Sequence, residues 1–189
     1  EFTLMYQDDE VGDVVFFFIL DAGFVAEGNA FVDSSLLAIL SAVQLDTLPP
    51  NVRFGLAIAL FDSMTLLEFT PEYFSATTVR LNEFDAFCVS LKECTNPMQA
   101  TTTDRVLFGQ ALSSIKSIIR SQARVEQNRR VALGRTIQAV LLFLDESISG
   151  AHVFAFSETC GLSSVCRQAL LEAQTCQNGF DVITTAGKE

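Results

Sequence analysis

The chain has 189 residues, 49% hydrophobic and 19% charged, with a formal net charge of −11. At this length roughly 70% of the unfolded surface can be buried, so one compact domain with a real core is expected. The balance excludes a disordered chain, and the overall acidity argues against nucleic acid as a bulk partner.

The first strong element is Val14–Asp21, Val-Val-Phe-Phe-Phe-Ile-Leu-Asp. An unbroken run of β-branched and aromatic residues fits a central strand buried on both faces. The apolar part, Val14–Leu20, is seven residues, against about 20 for a membrane-spanning helix. No basic start with an apolar segment and a cleavage site is visible. Ala30–Leu45 follows with helical spacing of Phe31, Leu36, Leu37, Leu40 and Val43. Leu48-Pro-Pro-Asn51 ends it, because proline cannot continue a helix. Arg53–Phe61 reads as a second buried strand. Met64–Phe69 reads as a third, turned at Asp62-Ser63 into an antiparallel hairpin at the sheet edge.

Thr70–Thr103 reads as a long connection with a short extended piece near 86–91. Asp104 is placed to cap a helix over Arg105–Gln122, whose buried stripe is Leu107, Ala111, Leu112, Ile115, Ile118 and Ile119. A second helix is expected at Ala132–Glu146, with Leu133, Ile137, Val140, Leu141 and Leu144 inward. Strand Ala151–Ser157, helix Ser163–Gln174 and strand Phe180–Thr184 complete the order. Alternating strands and helices predict an α/β fold: a mostly parallel sheet with one antiparallel edge hairpin and helices on both faces, as a single domain over 1–189.

Charge is unevenly spread. From Arg105 to Arg135 there are seven basic residues and one acid, so that segment carries +6 and the rest carries −17. A basic segment on an acidic body suggests a contact surface for anionic lipid or acidic peptide. Arg120, Arg124, Arg129 and Arg130 are the candidates. The alternative is a solvated helix pair whose basic side chains meet acids elsewhere.

Catalytic chemistry finds little footing. Gly23 and Gly28 have phosphate-loop spacing after a strand, but Asn29-Ala30 stand where Lys and Ser/Thr are needed. The single histidine, His152, begins a strand, opposite the end where sites gather in parallel sheets. The five cysteines, 88, 94, 160, 166 and 176, are spaced too widely for zinc pairs. They read as reduced thiols of a cytosolic protein, with a Cys160–Cys166 or Cys166–Cys176 bridge as the alternative. Seventeen Phe and no Trp point to a Phe-rich core, although Phe69, Tyr73, Phe74, Phe84 and Phe87 could present a partner surface. No enzyme, cofactor or metal site is expected.

Several stretches, taken in order, resemble one family. They are Asp13–Asp21, Leu48-Pro-Pro-Asn through Phe61-Asp62-Ser63, Leu81–Phe87, Ala132–Ala139 and Ala151–Phe156. Together they are similar to the trunk domain of the COPII inner-coat subunits, closer to the cargo adaptor. That resemblance implies a von Willebrand factor A-like fold. In A-type domains an aspartate at the position of Asp21 opens an Asp-x-Ser-x-Ser metal motif; here the stretch is Asp21-Ala-Gly-Phe-Val25, without the two hydroxyls. The resemblance implies a vesicle-coat scaffold in ER-to-Golgi transport, cytoplasmic and peripheral at ER exit sites. Its partners would be a second trunk-bearing subunit, a small GTPase, cargo tails and an anionic membrane surface. The alternative is a metal-independent A-type interaction domain in a repair or transcription assembly.

Overall fold

The computed structural model describes residues 14–22, 30–60, 63–80, 97–122, 129–145, 151–157 and 179–184. The strands are β1 (Val15–Asp21), β2 (Arg53–Ala59), β3 (Ser63–Phe69), β4 (Phe74–Arg80), β5 (Thr101–Thr102), β6 (Ala151–Ser157) and β7 (Gly179–Thr184). The helices are α1 (Ala30–Val43), α2 (Arg105–Gln122) and α3 (Arg129–Asp145), with a short 3-10 turn at Pro97–Ala100. The sheet order is β4-β3-β2-β1-β6-β7, with β5 beside β2. β1, β2, β6 and β7 run parallel, and β3, β4 and β5 pair antiparallel, so the fold is α/β on a mixed sheet.

β1 sits in the middle because both of its faces are apolar. Val15, Phe17 and Ile19 belong to the core on one face, and Phe18 and Leu20 to the core on the other. The first face is covered by α3 through Leu133, Ile137, Val140, Leu141 and Leu144. The second is covered by α1 and α2. Gly55 of β2 is required by close approach: a Cβ there would lie 2.4 Å from the Phe17 ring and 2.9 Å from the Ala100 carbonyl oxygen.

The expected stripe of α2 is buried at Leu107, Ala111, Leu112, Ile115 and Ile119, while Ile118 is half-buried. Asp104 caps this helix as its position suggests. Its Oδ1 accepts the Val106 and Leu107 backbone N–H groups, both at 2.9 Å. In α1, Leu37 lies outward and is 65% exposed, whereas Val32 and Ile39 are buried.

Two expectations are corrected. β3 is not the sheet edge: it is paired on both sides, and β4 is the outer strand. The supposed connection from Thr70 instead turns at Pro71-Glu72 and returns as β4, followed later by β5. β4 escapes the sequence pattern because five of its seven residues, Ser75 to Thr78 and Arg80, are solvent-exposed. β5 is held by Arg53, whose Nε donates to Thr101 Oγ1 at 2.8 Å and whose second guanidinium nitrogen donates to the Thr101 carbonyl at 2.9 Å. α3 begins three residues earlier than expected, which brings Arg129 and Arg130 into its first turn. The extended piece near 86–91, the helix at 163–174 and all five cysteines lie outside the described residues.

Candidate functional site at the carboxyl ends of β1 and β6

From β1 the chain passes over α1 to β2 on one side, while β6 lies on the other side of β1. That reversal of direction is the topological switch point, and ligands of open α/β sheets sit outside the carboxyl ends of the strands there. Asp21 ends β1 and Ser157 ends β6. The parallel register pairs Leu20 with Phe156, which brings the next residues, Asp21 and Ser157, side by side. Ser157 Oγ donates to Asp21 Oδ2 at 2.8 Å, and both side chains are buried. The Ala22 N–H donates to the Ala59 carbonyl at 2.8 Å, extending the β1–β2 ladder by one residue.

One partner of the Asp21 carboxylate is thus a serine 136 residues away along the chain. Sequence order hides this pair, and only the strand order discloses it. Chemically the pair is one carboxylate and one hydroxyl. Mg²⁺ asks for near-octahedral oxygen coordination, and Ca²⁺ for more. Among the described residues no group of three His, Cys, Asp or Glu converges as a metal site would need. The Gly23–Gly28 loop lies outside the described residues.

His152 lies at the other end of the sheet. It opposes Phe16 in the ladder, and its ring stands edge-on to Phe16 at 5.7 Å between centroids. Its side chain is exposed.

The basic segment divides between two layers. Lys116 of α2 meets Asp33 of α1 at 2.7 Å. Arg105 donates to the Leu45 and Leu48 carbonyls at 3.1 and 3.4 Å. These contacts join the start of α1 to the later part of α2, and the end of α1 to the start of α2, so the two helices are antiparallel. α1 begins after the carboxyl end of β1, and α2 therefore ends on that side, with Arg120 in its last turn. α3 covers the opposite face and leads into the amino end of β6. Its first residues, Arg129 and Arg130, accordingly lie toward the carboxyl ends of the strands as well. The expected helix pair is thus two helices on opposite faces, with their basic termini at one end of the sheet. Arg124 falls between them, outside the described residues. Cations favour a helix C-terminus and oppose an N-terminus. Arg120 fits that rule and Arg129 and Arg130 do not, so helix stability alone does not account for them.

Phe69 is buried and Phe74 half-buried, so of the suspected aromatic partner surface Tyr73, at the β3–β4 turn, is the exposed ring among the described residues. Phe84 and Phe87 lie outside those residues. No described helix is long and apolar enough to cross a membrane. No family model matches the chain, and no curated protein is significantly similar to it.

Proposed function

We propose that this chain is a non-enzymatic scaffold with a von Willebrand factor A-like frame, a divergent relative of the COPII inner-coat trunk. The observation that carries the reading is the strand order β4-β3-β2-β1-β6-β7, with antiparallel strands on one flank and helices on both faces. The Asp21–Ser157 hydrogen bond fits a metal-independent version of that frame, since Asp21 Oδ2 accepts a hydroxyl there. The scaffold would pair with a second trunk-bearing subunit at ER exit sites, on the cytoplasmic side. Its basic helix termini would face anionic lipid or acidic cargo signals, through Arg120, Arg124, Arg129 and Arg130.

Flotation with phosphatidylserine-rich vesicles at low salt tests the membrane contact. Each basic residue near such a surface contributes about 1 kcal/mol, so changing all four to Glu should abolish binding. Unchanged binding would remove the membrane limb. Affinity capture tests the rest: coat subunits and a small GTPase support the coat, whereas nuclear proteins would turn the reading to a repair or transcription assembly.

A further inference from the structure

β4 forms one side of the sheet, and among the described residues nothing pairs with its outer side. Natural edge strands are blunted by shortness, Lys, Pro, inward charges or bulges. β4, Phe-Ser-Ala-Thr-Thr-Val-Arg, has seven residues, no Lys and no Pro, a single charge at its last residue, Arg80, and it matches β3 residue for residue without a bulge.

The direction of its hydrogen bonds follows from two turns. The Thr70 N–H donates to the Tyr73 carbonyl at 2.8 Å, and the Leu60 N–H to the Ser63 carbonyl at 2.8 Å. Antiparallel ladders alternate, so Ser75, Thr77 and Val79 bond inward to β3. The backbone groups of Phe74, Ala76, Thr78 and Arg80 therefore point outward.

We propose that β4 docks a second copy of this chain, the two β4 strands pairing antiparallel about a two-fold axis at Thr77. In this register Ala76 lies opposite Thr78 of the second copy, and Phe74 opposite Arg80. Each of these residues has outward-directed backbone groups, so the strands gain about eight hydrogen bonds. A shift by two residues leaves an end of each strand unpaired. Arg80 is the one charge on β4, and here it meets the half-buried Phe74 ring, where a guanidinium is attracted. Thr77, exposed, meets its own copy on the axis, and threonine pairs suit that place. The strand is self-complementary, as a two-fold interface requires. The remainder of the chain opposes the contact, because each copy carries −11. Salt screens that repulsion, so the dimer strengthens as salt rises.

Sedimentation velocity over a range of protein and salt concentrations tests the proposal. The wild type should show a monomer–dimer equilibrium that salt tightens. Ala76→Pro removes an outward N–H from each copy and spares the β3 ladder, weakening the dimer about thirtyfold. Thr77→Glu puts like charges face to face on the axis, beside Glu68 of each hairpin and on chains that already repel, weakening it about fivefold. Circular dichroism confirms that both variants fold. A monomer under all conditions overturns the inference, and so does a dimer indifferent to both substitutions. Neither result touches the coat reading, which concerns a different subunit.

Discussion

The two faces of the sheet are filled by different means. The α1–α2 face is aromatic: Phe108 of α2 packs against Phe18, Phe54 and Phe69, with centroids 6.2, 5.7 and 5.8 Å apart. The α3 face is built from smaller side chains, with Ala57, Ala59, Ala139, Ala151 and Ala155 in its core around Phe17. Rings fill the space beneath two helices that stand side by side. Small residues let α3 lie close against β2 and β1. The first face should therefore be sensitive to lost volume and the second to added volume.

The largest expected effect tests the aromatic face. Phe108 is fully buried, and Phe108→Ala should cost about 4 kcal/mol in urea unfolding. A loss below about 1 kcal/mol, the range of an ordinary substitution, would show that the face does not depend on that ring. On the opposite face Gly55→Ala adds a methyl group where Phe17 already stands, at a cost of about 3 kcal/mol. Phe17→Leu in the same chain should recover part of that loss. The two effects would then fail to add, as contacting residues do. Strict additivity would contradict the close approach.

How much of this was legible in the sequence depends on burial. β1 could be read because burial on both faces writes a continuous apolar run from Val14 to Leu20. α2 could be read because its stripe and its Asp104 cap agree. β4 could not, since an outer strand is held by its ladder to β3 and by the packing of Phe74 and Val79, leaving little periodicity. The basic segment was legible as composition. Its partition between two faces was not, because neighbours along the chain lie in different layers. Asp21 was singled out from its strand, but Ser157 could be joined to it only through the parallel register of β1 and β6.

Between the two faces lies the Asp21–Ser157 pair. Ser157→Ala leaves a buried carboxylate without that donor and should destabilise by about 2 kcal/mol. If the hydrogen bond fastens the carboxyl ends of β1 and β6, hydrogen exchange of the amides there should speed up more than exchange at His152, at the other end of β6. Uniform acceleration along β6 would assign the loss to general destabilisation and not to a local clasp.

The smallest effect has the opposite sign and concerns the helix that the small-residue face accommodates. Thr136 of α3 is fully buried, and among the described residues its hydroxyl has no hydrogen-bond partner. A buried hydroxyl left without a partner loses its bonds to water and gains nothing in exchange. Thr136→Val keeps the branched shape and removes that polar atom. Val and Thr also have similar helix propensities, so the exchange isolates the hydroxyl. Stability should rise by about 1 kcal/mol, read as a higher urea midpoint with an unchanged slope. Thr136→Ser separates shape from polarity, because it keeps the hydroxyl and deletes the methyl from a tightly packed layer. It should be less stable than wild type by about 1 kcal/mol. If Val destabilised and Ser did not, the α3 layer would be tuned to the hydroxyl, and small apolar volume would not be what lets this helix lie close to the sheet.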